Sequence, residues 1–176
     1  MTQYLLKLSF DQRQVTQSLN YEFLLKENSS DYPIVDEGPL AGTFNFKQGD
    51  EIIIEVVATS AAAGGNDVLE AFNVVNCTFI SIPTGTTDPL SMFDKSSACW
   101  TVNNWGPMVN YPVKGQNMRG LMRQSVEKQA IVSIENGQWQ ISGFLSVELT
   151  TAAGEQQARL FFFDPEGSTG NGGGRD

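Results

Sequence analysis

Residues 130–150 read AIVSIENGQWQISGFLSVELT, and the period of this stretch decides the fold. Trp139, Ile141, Leu145, Val147 and Leu149 fall on one face, while Gln140, Ser142, Ser146 and Glu148 fall on the other, with Phe144 as the single residue out of pattern. A repeat of two residues belongs to a half-buried β-strand. Asn136-Gly137 separates this run from the apolar run before it. Asn-Gly is the preferred pair of a type I′ turn, so the spacing predicts a hairpin across these two residues.

Toward the carboxyl end, Ala152-Ala153-Gly154-Glu155 supplies the next turn and Arg159-Leu-Phe-Phe-Phe163 returns as a closing strand. That run is apolar on both faces, as expected of a strand with a core on one side and a loop or partner on the other. Asp164-Pro165 should end the ladder, because proline has no N–H to donate. The glycine-rich remainder has little to bury. These signals set one domain over 1–166 and a tail over 167–176.

Toward the amino end, Tyr4, Leu6, Leu8 and Phe10 alternate with Gln3, Lys7 and Ser9, and Tyr21, Phe23 and Leu25 alternate with Glu22 and Lys26. Phe44 and Phe46 lead through Gln48-Gly49-Asp50 into a β-branched run from Glu51 to Ala58, which has the composition of a central strand covered on both faces. Leu69 to Ile82 is one long bent strand or two shorter ones. Residues 83–118 hold no sustained period beyond a short strand at Cys99 to Val102, and loops of such length are uncommon in compact domains unless functional. Together these elements predict an all-β protein: a single antiparallel β-sandwich of about eight or nine strands with one long aromatic- and proline-rich loop.

Composition narrows the chemistry. The chain of 176 residues is long enough for one core and carries eleven Phe, so disulfide staples are not needed. A net charge of −9 and a pI near 4.4, with scattered basic residues, repel phosphate backbones and anionic lipid, so neither nucleic acid nor membrane is expected as a partner. No secretory signal is legible at the amino terminus, so the expectation is a cytoplasmic protein with Cys77 and Cys99 as reduced, inert thiols; a trimmed signal would instead allow one disulfide. The chain contains no histidine. Serine– or cysteine–histidine nucleophile pairs and histidine-dependent metal sites are thereby excluded, and no cofactor is expected.

Three groups of residues remain as candidates. The acids Asp31, Asp36, Glu37, Asp50, Asp67, Asp164 and Glu166 lie in turns, where oxygen-rich loops can bind Ca2+, although no EF-hand spacing is present and such acids commonly do no more than solvate a surface. Paired carboxylates could hydrolyse a sugar linkage, but among twenty acids some pair will always qualify. Trp100, Asn103, Asn104, Trp105, Met108 and Tyr111 mix flat rings with amides, a combination suited to a sugar, to a small apolar ligand or to a protein interface. The plain alternative is that Trp100 and Trp105 plug the open end of the sandwich. Phe162, in the closing strand that is apolar on both faces, joins this group as a ligand or interface residue.

The Phe-x-Phe-Lys-Gln-Gly-Asp turn at 44–50, the Trp-x-Ile-Ser-Gly-Phe-Leu-Ser-Val strand at 139–147 and the terminal Phe-Phe-Asp-Pro at 162–165 resemble the bacterial inclusion-body protein family (PixA/AidA-like). That resemblance implies a small cytoplasmic β-sandwich without a catalytic site that associates with itself. Twelve Gln and twelve Asn, and few lysines to guard strand edges, fit such assembly, while the charge of −9 opposes it at low salt. The expectation is a self-associating, non-enzymatic homo-oligomer, with a ligand-binding module for a sugar, an apolar molecule or Ca2+ as the alternative.

Overall fold

The alternating runs become two six-stranded sheets packed face to face. A computed structural model describes residues 2–25, 44–61, 67–84, 90–93, 97–113, 118–126, 130–132, 137–164 and 166–169. Among these residues there are twelve strands and no helix. In the first sheet β2 (Asn20–Leu25), β1 (Gln3–Asp11), β4 (Glu51–Ala61), β8 (Met118–Gln124) and β7 (Val109–Tyr111) run side by side, and β9 (Ala130–Ile131) extends the row of β8 against β4. The second sheet orders β3 (Phe44–Phe46), β12 (Glu166–Thr169), β10 (Gly137–Thr151), β5 (Leu69–Pro83) and β6 (Cys99–Val102), with β11 (Gln156–Phe163) also pairing β10. The all-β sandwich expected from the sequence is the fold. Most pairings are antiparallel, but β1 runs parallel to β4 and β3 parallel to β12, so both sheets are mixed.

The Asn136-Gly137 hairpin does not form. Ala130–Ile131 pairs with β4 in the first sheet, while Gly137 opens β10 in the second, with a φ of 156° that is far from a type I′ value. The physical reason is occupancy. The first residues of β10 are already paired with β5 through Trp139 and Pro83 and with β12 through Gly137 and Thr169, so no edge is left for a hairpin partner. The turn at 152–155 does form: Gly154 takes a left-handed φ of 79° and β11 pairs back along β10 from Thr150 to Gly143.

Two further expectations change. Asp164-Pro165 interrupts the ladder without ending it, because the chain resumes beside the same strand as β12. Residues 167–169 therefore belong to the sheet and not to a tail. The stretch 83–118 is not one loop: it carries β6 into the second sheet and β7 into the first. Leu69 to Ile82 is one strand whose register slips at a bulge, Asn76 facing Ser146 and Val74 facing Val147, which leaves Val75 unpaired and exposed.

Between the sheets lies a layer of aromatic rings. Phe10 of β1 stacks on Phe161 of β11 at 4.6 Å and meets Phe72 of β5 edge-on at 6.2 Å. Phe46 receives Tyr4 and Phe23 edge-on at 5.3 and 5.5 Å. Fully burying a side chain of this size contributes about 1.5–3 kcal/mol, and ring pairs add about 0.5–1.5 kcal/mol. The seam between β2 and β11 is closed by backbone: Leu19 N–H donates to Phe162 O at 2.9 Å and Phe162 N–H to Gln17 O at 2.7 Å.

Sidedness separates the cysteines. Cys77 is buried and pairs with Val102, whereas Cys99 is exposed and pairs with Ile80, so the thiols lie on opposite faces and both are free. Burial pushes the Cys77 thiol up to about 12. Two outcomes follow. Thiol titration of the native protein with a disulfide reagent modifies Cys99 alone, and Cys77 reacts only after unfolding. Denaturant unfolding should find that Phe161→Ala costs about 3–5 kcal/mol, whereas Phe162→Ala, at a half-exposed ring, costs about 1 kcal/mol or less.

Candidate functional site

The aromatic residues singled out in the sequence are split between the two long edges of the sandwich. Trp100 lies on the core side of β6, stacked on Phe79 at 4.1 Å and tilted against Phe93 at 5.0 Å. Trp105 bridges to Ser125 beyond the end of β8, and Trp100, Trp105 and Met108 pack partly buried against the core. Asn103 and Asn104 are exposed, and Asn104 O accepts a hydrogen bond from Val126 N–H. Arg123 fixes the same segment by donating from Nη1 to Gly106 O and from Nε to Phe72 O. Here the plain alternative has the stronger geometry: these residues close one side of the sandwich.

Tyr111 sits apart, on edge strand β7. The Lys7 ammonium lies 5.2 Å from its ring centroid and 3.5 Å from Glu22 Oε2. Burial alone would lower the Lys7 pKa, but hydrogen bonding and charge from Tyr111 and Glu22 outweigh it and hold the group above its ordinary value. Beside Lys7 in the ladder is Glu55 of β4, which is buried. Desolvation pushes the Glu55 carboxyl up, and the nearby Lys7 only partly opposes this. These residues belong to the outer face of the first sheet, where Glu51, Ile53, Glu55 and Val57 are all buried.

Phe162 lies on the opposite side of the molecule from Trp100, and it lines a groove that sequence reading did not delineate. The groove encloses about 480 Å3 and is bounded by Ser18, Leu19, Tyr21, Ser142, Gly143, Phe162, Phe163 and Asp164. It opens where Asp164-Pro165 interrupts the pairing of β10, between the Gly143–Phe163 and Gln140–Glu166 pairs. At that gap Ser142 Oγ donates to Asp164 Oδ1 at 2.7 Å. Gly143 has no side chain because the Phe163 ring lies directly over it, and a methyl there would overlap the ring. Phe163 in turn meets Phe79 edge-on at 5.2 Å and Tyr21 at 6.5 Å. The signal available in the sequence was the proline break following an aromatic run; the partners Ser18, Leu19 and Tyr21 arrive from a strand more than a hundred residues away.

The acids considered for Ca2+ are dispersed. Asp31, Asp36 and Glu37 lie outside the described residues, as does the Glu166 side chain. Asp50 is buried and accepts from Thr2 N–H with Oδ1 at 2.9 Å and from Lys47 N–H with Oδ2 at 2.8 Å, a turn-capping role. Asp67 pairs with Arg13 at 2.5 Å. Among the described residues no three Cys, Asp or Glu side chains converge as metal ligands, and no helix is long and apolar enough to cross a membrane. Comparison of the chain with protein-family models and with curated proteins found no match.

The Glu55 geometry sets a pH dependence. A carboxyl whose folded pKa is raised favours the folded state below its ordinary unfolded value, and that stability is lost as pH rises through the raised folded value. Glu55→Gln removes the buried charge. The variant should melt at a higher temperature than the wild type at pH 7, and the difference should vanish at about pH 4, below the ordinary carboxylate range. Calorimetric scans at the two pH values measure it.

Proposed function

We propose that the protein is a non-catalytic, cytoplasmic β-sandwich that associates with itself, as the resemblance to inclusion-body proteins implies. One observation carries this reading: the two outer faces of the sandwich are treated differently. On the first sheet the outward residues of β4 are buried. On the second sheet several outward side chains of β5 and β11 are open, with Ile80 38%, Ile82 53%, Leu160 42% and Phe162 48% exposed and Val75 in the bulge 56% exposed, while Thr78 between them is buried. Phe144, the residue out of pattern in its strand, lies between Phe162 and Thr78 on this same face and is half-buried.

The occupant that fits best is a second copy. The chain carries −9, so like molecules repel wherever charged surfaces meet. Along these strands the outer face of the second sheet presents, among the described residues, Glu148 and Asp164 as formal charges, and Glu70 at the second bulge of β5 is paired with Arg119. Two acidic molecules meet less like charge across such a face than their net charge of −9 would suggest. Strands at about 4.8 Å spacing across β11, β10, β5 and β6, with about 3.4 Å per residue along β5, give a footprint on the order of 650 Å2 before side-chain relief, near the ~800 Å2 per partner of a stable interface. The missing histidine agrees with a role carried by surfaces.

Sedimentation velocity tests the proposal. The wild-type protein should shift from monomer to larger species as concentration rises, and more strongly as salt is raised from about 20 to 300 mM, because screening removes the net repulsion. Replacing Ile82 and Leu160 together by glutamate should hold the chain monomeric at all of these conditions with an unchanged circular-dichroism spectrum. A wild type that stays strictly monomeric throughout would rule the proposal out.

A further inference from the structure

We infer that the groove at the seam of β2 and β11 is a binding site for a small organic cation of the quaternary-ammonium or alkylammonium class, held by the rings of Tyr21 and Phe162 and by the carboxylate of Asp164. This goes beyond self-association, which requires no ligand.

The lining defines the chemistry. Of the aromatic residues bounding the groove, Tyr21 and Phe162 are 37% and 48% exposed and available to a guest, while Phe163 is buried and backs the wall. The faces of such rings carry negative electrostatic potential and attract a cation by about 0.5–2 kcal/mol each, depending on desolvation. Among the described lining residues Asp164 is the only formal charge, with no Lys or Arg. Its Oδ1 accepts a hydrogen bond from Ser142 Oγ at 2.7 Å, which holds the exposed carboxylate beside the groove. A sugar would find the hydroxyls of Ser18 and Tyr21 but no side-chain amide among the described lining, with Ser142 already bonded to Asp164, and an anion would meet Asp164 unfavourably. A cation with an apolar shell matches both the rings and the charge.

The site is built rather than incidental. Gly143 lets the Phe163 ring lie flat against β10, and Phe79 supports that ring edge-on from the core. The opposite wall is fixed by the backbone bonds of Leu19 and Gln17 to Phe162. The volume of about 480 Å3 lies within the common range for small-ligand sites, roughly 300–1,000 Å3. The field of a chain at −9 concentrates cations near it.

Choline and its uncharged carbon isostere 3,3-dimethylbutan-1-ol form the discriminating pair of probes, because they share shape and differ in charge. Titration of uniformly 15N-labelled protein, followed by amide shifts, should localise choline to Leu19, Tyr21, Ser142, Gly143 and Phe163. Its dissociation constant should lie in the millimolar range or tighter, with the isostere about tenfold weaker or more. Asp164→Asn keeps an acceptor for Ser142 and should weaken choline about tenfold while leaving the remaining spectrum unchanged, and Phe162→Ser should weaken it similarly. The doubly glutamate-substituted chain at Ile82 and Leu160, designed to abolish assembly, should bind choline undiminished, so failure of the site and failure of assembly are read separately. Equal affinity for choline and the isostere, shifts located elsewhere, or no saturable shift up to about 50 mM choline would each overturn the assignment.

Discussion

The long antiparallel pairing of β5 with β10 is the interaction on which the other elements depend. It runs from Trp139 opposite Pro83 to Thr151 opposite Leu69, and β10 has its second edge occupied by β11 and then β12. Each ladder position fixes which face a side chain meets, because a slip of one residue would invert every one of them. Leu145, Val147 and Leu149 thus face the core together with Cys77, Val74 and Phe72. With both edges of β10 taken, the preceding segment has no place beside it and crosses to the first sheet. The bulge at Val75 is the adjustment that lets two strands of this length twist together while keeping their apolar faces in step.

The aromatic layer follows from that register. Phe161 is placed inward by its pairing with Leu145, which brings it onto Phe10, while Phe162 is turned outward beside Phe144. One run of three phenylalanines therefore serves two environments: Phe161 and Phe163 are core, and Phe162 belongs to a surface. The same residue links the apolar outer face to the groove at the ladder's gap. The two proposals concern neighbouring but separable features, the first resting on Ile80, Ile82 and Leu160 across the face and the second on Asp164 and Tyr21 at its margin.

Different parts of the candidate surface were legible to different degrees. Phe162 could be singled out from the sequence because an apolar residue on both faces of an edge run needs a second environment. Phe144 was visible as the one break in its strand's pattern, and the structure gives that break a location on the open face. Trp100, Trp105 and Met108 looked equally suited to a ligand, yet they pack against the core at the opposite edge, since β6 pairs with the outer side of β5 and brings the Trp100 ring onto Phe79. Glu55 falls in the run expected to be covered on both faces, and it is buried there, but no local pattern singled out its carboxyl.

What the sequence determined by itself was local: the period of two, the turn at Gly154, the covered central strand from Glu51, and a chemistry without imidazole. These follow from neighbouring residues, whose side-chain alternation and backbone preferences act within a few positions of each other. Only the tertiary structure decided which strands pair, that β1 runs parallel to β4, that Leu69 to Pro83 is one strand, that Ile131 and Gly137 belong to different sheets, and that Ser18, Leu19 and Tyr21 meet Ser142 and Asp164 in a groove. Those outcomes depend on competition for ladder edges and core volume among segments far apart in the chain, and that competition is settled by the whole fold at once.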